Sequence, residues 1–401
     1  MDVIIVGAGP AGAALALLLA RCGVRVTLVE RERDFERVFR GEGLMPTGLD
    51  ALYQMGLREK LNALPWRYLE SWEIYLNGTQ IMHIPEPSQE LGELALRIVS
   101  QPKLLELLIA EARASENFTF LAPAAVRDLL WDGERVCGVR VSRPEGEQEI
   151  KADLVVGADG RASVVRKRAD LPLELLPESY DILWFKLPLP NGLENRCPIQ
   201  IFARGPEVAL SYVSWDARFQ IAWMLPKGSW GEVRQRDWLR ECTHLLPDSL
   251  ARHVLTHRNG IEGPRLLDVI VGRCRTWSRR GVLLLGDAAH PMSPVRAQGI
   301  NMALRDAIVA ANHLVPAIRE GHELMAPLRE IQREREREII RLQYLQLREV
   351  RGQRWARERP WLARPLLALA PWLAKTGLIQ RLWLRQQREL RFGVTEVQLR
   401  V

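Results

Sequence analysis

What the chain has little of narrows its class first. It holds five cysteines in 401 residues, Cys22, Cys137, Cys197, Cys242 and Cys274. They are odd in number, far apart and without metal-ligand spacing. The expectation is therefore reduced thiols, no bound metal and a cytoplasmic setting. No signal peptide precedes Asp2, since an apolar β-branched run starts at once. No uncharged apolar stretch of about 20 residues is present to span a bilayer. No internal repeat is apparent. The formal net charge is +7, but no nucleic-acid-binding signature accompanies it, so nucleic acid is not an expected partner. What is present is a globular composition, 47% hydrophobic and 26% charged, with enough apolar content for two domains with cores.

The stretch that organises the rest is Gly281 to Ala307. Val282 to Leu285 is short and apolar, as a buried strand is. Gly286-Asp287 ends it, and a Pro-punctuated loop runs from His290 to Pro294. From Gly299, the spacing of Ile300, Ala303, Leu304, Ala307 and Ile308 is helical. A helix start offers unpaired N–H groups and a positive dipole, which suits an electron-rich ligand. Asp287 at the strand end is placed to accept hydrogen bonds from a polyol.

At the N-terminus, Val3 to Val6 reads as a strand, Gly7-Ala8-Gly9-Pro10-Ala11-Gly12 as a tight turn, and Ala13 to Ala20 as a helix. A second strand, Val24 to Val29, ends in Glu30. Gly7 permits the turn, Gly9 lets backbone approach a pyrophosphate, and Gly12 lets helix pack on strand. Glu30 is placed for ribose hydroxyls. Further on, Asp153 to Arg166 reads as a buried strand, an Asp159-Gly160 turn and a helix start. Arg40-Gly41-Glu42 follows the second strand, and Gln101 opens a helix to Ala114.

In this order the segments resemble the flavoprotein aromatic hydroxylases, the para-hydroxybenzoate hydroxylase-like family of class A flavoprotein monooxygenases. That family carries Gly-Asp-Ala-Ala-His, a proline, then Gly-Gln-Gly-x-Asn. Here these are Gly286 to His290, Pro294, and Ala297-Gln298-Gly299-Ile300-Asn301. The departures are Ala297, where the family often has Gly, and Arg296 beside it. The resemblance implies that Arg40 lies along the dinucleotide, that Glu42 lies on the flavin side, and that Gln101 touches the cofactor. It links Asp159 with both FAD and the nicotinamide. The implied cofactor contacts are Gly7, Gly9, Pro10, Ala11, Gly12, Glu30, Arg31, Arg40, Gly41, Glu42, Gln101, Asp159, Gly286, Asp287, Pro294, Gly299, Ile300 and Asn301. No catalytic residue is singled out.

The implied fold is α/β, or α+β overall. A doubly wound FAD-binding domain (1–75, 98–178 and 270–330) carries an inserted antiparallel-sheet substrate domain (76–97 and 179–269). C-terminal helices follow (331–401). Asn77-Gly78 and Asp132-Gly133 mark hairpin turns. Asp181 to Ala222 alternates and is aromatic-rich, as antiparallel strands with one buried face are. Trp238 to Leu250 reads as a helix, and the chain re-enters the first domain near Val269 to Thr276. Mixed charges from Arg329 to Arg354 read as a solvated helix face. Trp361 to Leu384, broken by Pro365 and Pro371, reads as a helical cover or as a peripheral membrane anchor.

The implied function is FAD-dependent monooxygenation of an aromatic, polycyclic or quinone-like small molecule with NAD(P)H and oxygen. In that family oxygen adds at flavin C4a, and the hydroperoxide delivers a hydroxyl. A polyprenyl reductase and a flavin halogenase share the fold. The halogenases' Trp-x-Trp-x-Ile-Pro is absent, the nearest segment being Trp184 to Pro188. A catalytically idle flavin-binding protein is the reading from another class. Oligomeric state is not legible.

Overall fold

The computed structural model describes residues 1–35, 41–358 and 378–401. Arg40 and most of the Trp361 to Leu384 segment lie outside them. Two large sheets organise the described residues. The first has six strands, in the order Ser278–Arg279, Val282–Leu284, Leu154–Gly157, Asp2–Val6, Arg25–Val29 and Phe118–Leu121. All neighbours are parallel except the first pair. Parallel strands are buried on both faces, which is why Val3 to Val6 and Leu154 to Val156 are continuously apolar. Helices Pro10–Arg21, Gln101–Arg113 and Gln298–Arg319 supply their apolar sides to the same core.

The second sheet has seven strands. Their order is Glu262–Leu267, Tyr180–Leu187, Phe219–Pro226, Glu207–Val213, Pro198–Arg204, Ser71–Leu76 and Thr79–Pro85. The sheet is mixed rather than wholly antiparallel, because Pro198–Arg204 runs parallel to Ser71–Leu76. A long crossover joins those two strands, and only a long connection can do so in parallel. Asn77 and Gly78 turn the Ser71–Leu76 hairpin with φ of 51° and 82°, the twist a two-residue hairpin needs.

Two expectations are corrected. Trp238 to Leu250 is two helices, Trp238–Thr243 and Asp248–Thr256, because Pro247 cannot continue the first. Strand Val271–Cys274 pairs with Leu173–Leu176 in a ribbon of its own, and its Cys274 packs in one core with Ile4, Val6 and Val155 of the six-stranded sheet. Helix Met325–Glu358 is not merely a solvated charged rod. Its Arg335, Glu338, Gln343 and Gln346 are fully buried. Arg335 and Glu338 pair with Asp306 and Arg305 of helix Gln298–Arg319, while Gln343 and Gln346 donate to the carbonyls of Gly272, Pro291, Ser293 and Val295. Among the described residues, no helix is long and apolar enough to cross a membrane.

Candidate active site

The first strand's end and the helix after it set the first wall. Gly7 has φ +97°, and a Cβ there would lie 2.5 Å from the Ala158 carbonyl oxygen. A Cβ on Gly12 would lie 1.9 Å from the Gly7 oxygen. Both positions therefore require glycine for packing. Gly9 differs, since a Cβ there would meet nothing within 4 Å. Its backbone borders open space, and no side chain caps the helix that Pro10 begins. Ala11 and Gly12 are buried in its first turn. The Glu30 carboxylate accepts hydrogen bonds from Ala8 N–H at 2.9 Å and Glu32 N–H at 3.0 Å. Arg31 is exposed and pairs with Glu32. Gly41 is exposed, and Gln101 is half-buried at the start of its helix, where Ser100 is the cap.

Asp159 has a local task. Its carboxylate accepts from Ser163 Oγ at 2.5 Å and from the Val164 and Val165 amides at 2.7 and 3.1 Å. It thereby caps helix Val164–Arg168. Burial raises its pKa, against those hydrogen bonds.

The third wall is Gly286 to Asn301. A Cβ on Gly286 would lie 3.1 Å from Ala11 Cβ, so the first and third motifs touch, as the first and second do at Gly7 and Ala158. The Asp287 side chain is 37% exposed, with Arg161 Nε 3.8 Å away. Asp306, fully buried, holds the turn from beneath. It accepts from Gly286 N–H at 3.1 Å and shares a 2.7 Å hydrogen bond with His290 Nε2. Burial pushes its carboxyl up, but His290 and Arg335 outweigh that and bring it down to about 2. Asn301 is buried between the helix and strand Gly43–Leu44. Its Oδ1 accepts from Met45 N–H at 2.9 Å, and its Nδ2 donates to Gly43 O and Ala297 O. Gly299 and buried Ile300 complete the first turn after Pro294.

Arg296 and Ala297, the two departures from the family pattern, have φ of 62° and 50°. The left-handed backbone is kept without glycine, at about 1–2 kcal/mol per residue. The surroundings hold it there. The Arg296 guanidinium grips Glu349 with Nε and Nη2 at 3.0 and 2.6 Å. It also lies 4.2 Å from the Trp72 ring and 5.1 Å from that of Trp383.

The seven-stranded sheet turns one face to this wall. Tyr180 O–H and Ser293 Oγ are 2.9 Å apart, and Val295 packs beside Tyr180 and Ile182. Across that face runs an apolar row in register, Trp184, Ala222, Leu210, Ile201 and Ile74. Four of the five, all but Ala222, are only half-buried. On the opposite face Leu183, Phe185, Phe202 and Ile221 are sealed.

The adjoining row is polar and was not read from sequence. Lys186 lies opposite Gln220, and Gln220 opposite Tyr212. Lys186 Nζ donates to Glu42 Oε1 at 3.1 Å, Ser214 Oγ at 2.8 Å and Asp216 Oδ2 at 3.1 Å. Burial raises the Glu42 carboxyl to about 7, with Lys186 and Ser214 pulling the other way. Asp216 is lowered, because Lys186 outweighs its desolvation. Burial and then Glu42 hold the Tyr212 phenol well above its ordinary value. The signal was available: a lysine two residues after Trp184, on the strand face it shares with Tyr180, Ile182 and Trp184.

The arrangement fits a dinucleotide. Open backbone at Gly9, an uncapped helix start, a carboxylate at each of two strand ends and a second helix start lie on adjoining elements, with Gly286 against Ala11. The comparisons agree. A profile of the FAD binding domain family matches residues 1–339. The chain is 36% identical over 328 residues to the 6-methylpretetramide 4-monooxygenase of Streptomyces rimosus, across 79% of this chain and 76% of that protein. It is 25% identical over 338 residues to digeranylgeranylglycerophospholipid reductase 2 of Methanococcoides burtonii, across 80% and 76%. The crystal structure of p-nitrophenol 4-monooxygenase from Pseudomonas putida superposes with a TM-score of 0.81 over 98% of both chains; at 20% identity that likeness is one of fold.

Proposed function

The chain belongs to the FAD binding domain family and is an FAD-dependent monooxygenase, and we propose that it hydroxylates a planar polycyclic or aromatic small molecule with NAD(P)H and oxygen. The observation that carries the substrate class is the half-buried apolar row from Trp184 to Ile74, facing the Gly286 to Asn301 wall. FAD, when bound, would supply the redox chemistry that activates oxygen. The chain's own groups do the rest. Gly9 admits the pyrophosphate and Glu30 takes ribose hydroxyls. Asp287 accepts from the ribityl chain, and the helix start after Ala297 turns its amides and positive dipole toward the flavin's electron-rich edge. The apolar row shields that edge from water. The substrate domain is then the part built on the seven-stranded sheet, and the FAD-binding domain the part built on the parallel one.

The test is oxygen uptake and NAD(P)H oxidation with a panel of polycyclic phenols, followed by product mass. The expected product gains one oxygen atom. A product that gains two hydrogens instead would move the chain to the reductases of this fold. NAD(P)H oxidation that no panel compound stimulates would sink the polycyclic reading.

A further inference from the structure

The polar row has more chemistry than packing requires. Lys186, Gln220 and Tyr212 are 5%, 1% and 7% exposed and sit side by side across three strands. Glu42 descends on them from the strand that Asn301 ties to the helix start. Lys186 is two residues beyond Trp184 on one strand, about 6.6 Å along the face. Thus the charged group begins where the half-buried apolar row ends. Trp215 borders it, its ring 5.9 Å from Lys186 Nζ. Gln220 adds an independent sign: its buried Oε1 has no hydrogen-bond partner among the described residues. An unpaired buried acceptor costs stability unless something donates to it.

We propose that Lys186 binds an ionised phenolic or enolic oxygen of the substrate, that Gln220 Oε1 accepts from a neighbouring hydroxyl, and that Glu42 takes the proton the first oxygen gives up. The substrate class is a planar apolar ring system carrying two adjacent hydroxyls at one edge. This deepens the reading above and rests on it for the location of the site. In the step, the substrate O–H bond breaks, its electron pair stays on oxygen beside the Lys186 ammonium, and the proton passes to a Glu42 carboxylate oxygen. The sum is substrate hydroxyl plus carboxylate giving substrate oxyanion plus carboxylic acid, with no change in oxidation state.

The electrostatics permit the exchange. Glu42 faces Lys186, Asp216 and Tyr212, and it acts in turn on Cys197. Its raised carboxyl makes it a base that accepts a proton near neutrality. Once neutral, it no longer competes for the Lys186 charge, while Ser214 and Asp216 keep the ammonium in place. A substrate oxyanion gives the row the negative charge that Glu42 surrenders. The net charge of the buried cluster is thereby conserved, and this avoids the cost of an unpaired buried ion.

The probes are 2,3-dihydroxynaphthalene, its dimethyl ether and 2-naphthol, bound to the FAD-loaded protein at about pH 8. Difference absorption reads the ionised naphthol, and calorimetry in two buffers of different ionisation enthalpy counts protons. Wild type is expected to bind the diol ionised, with almost no proton released. The isosteric Glu42→Gln should bind it ionised and release about one proton to buffer. Lys186→Met should bind it un-ionised and at least about tenfold more weakly, the size of one charge-assisted hydrogen bond. The dimethyl ether should bind all three alike. Gln220→Leu should erase the preference for the diol over 2-naphthol.

Three results overturn the proposal: no binding of the diol to wild type, no ionised band, or a Glu42→Gln proton count equal to wild type. Equal weakening of diol and ether in Lys186→Met also overturns it. Flavin absorbance of each variant verifies folding. Glu42→Gln keeps the carboxyl's shape, so the proton count stays readable if Lys186→Met does not fold. Absent oxygen uptake with this binding pattern intact would sink the monooxygenase reading and leave this one standing.

Discussion

At the residue scale, Gly9 and Gly12 separate function from packing. A valine at Gly9 meets no protein atom within 4 Å at its Cβ, whereas any Cβ at Gly12 collides with the Gly7 oxygen. Gly9→Val should therefore fold with nearly unchanged thermal stability and purify without flavin absorbance. Gly12→Ala should lose stability outright. A folded Gly9→Val protein with stoichiometric FAD would remove the pyrophosphate from that position. Glu42 gives a prediction with a sign. Burial raises its carboxyl from the ordinary 4.5 to about 7, so the native state holds its proton more tightly than the unfolded chain does. The stabilisation is full below about pH 4.5 and is lost as pH rises through about 7, on the order of 3 kcal/mol. Urea unfolding across that window should show wild type losing stability relative to Glu42→Gln. Parallel curves would mean that Glu42 is ionised throughout.

At the element scale, helix Met325–Glu358 is fastened by buried charge as well as by its apolar Leu328, Ile331, Ile339 and Leu342. Glu338 receives Arg305 at 3.1 Å and the Val394 amide at 2.8 Å, and it also pairs with Arg335. Arg335 in turn reaches Asp306 at 2.8 Å, the residue that holds the Gly286 turn. Glu338→Ala leaves buried Arg305 without its carboxylate and removes one of the two that hold Arg335, and should cost about 3–5 kcal/mol in chemical denaturation. Arg333→Ala, on the exposed face of the same helix, should cost about 0–1 kcal/mol. Similar losses for both would show that the buried network contributes no more than a surface pair. Mixed charges at helical spacing look alike in sequence whether they face water or one another. Only the approach of a second charged helix, with Arg305 and Asp306, decides it.

At the scale of the whole molecule, the C-terminal residues close over the junction of the two sheets. Arg391 donates through both terminal nitrogens to buried Glu86, which also accepts from Trp72 Nε1 at 2.9 Å. Trp383 packs on Trp72 with centroids 5.3 Å apart. Arg391→Ala should release helix Arg388–Phe392. Its amides should exchange hydrogen at least about tenfold faster, the scale of one charge-assisted pair, with exchange in strand Asp2–Val6 unchanged. Unaltered exchange in that helix would show it is held by packing alone. The membrane-anchor expectation falls mostly on residues outside those described. Trp383, its described tryptophan, is partly covered by the protein's own rings and guanidiniums.

The sequence alone determined whatever depends on neighbours in the chain. The turn at Gly7 to Gly12, the Asn77-Gly78 hairpin, the Asp159 turn and the strand-to-helix stretch at Gly286 to Asn301 are local. Backbone sterics, periodicity and helix-end electrostatics are written within each short stretch there, and the resemblance of those stretches, in order, to a known family implied the fold class and the flavin. Tertiary structure decided what depends on distant partners. Glu42 meets Lys186 across 144 positions, Arg296 is clamped by Trp72 and Glu349, and Asn301 serves strand Gly43–Leu44. Each pairing joins elements that lie far apart in the chain. The energy of a buried charge is set by what lies opposite it, which no single stretch of chain contains.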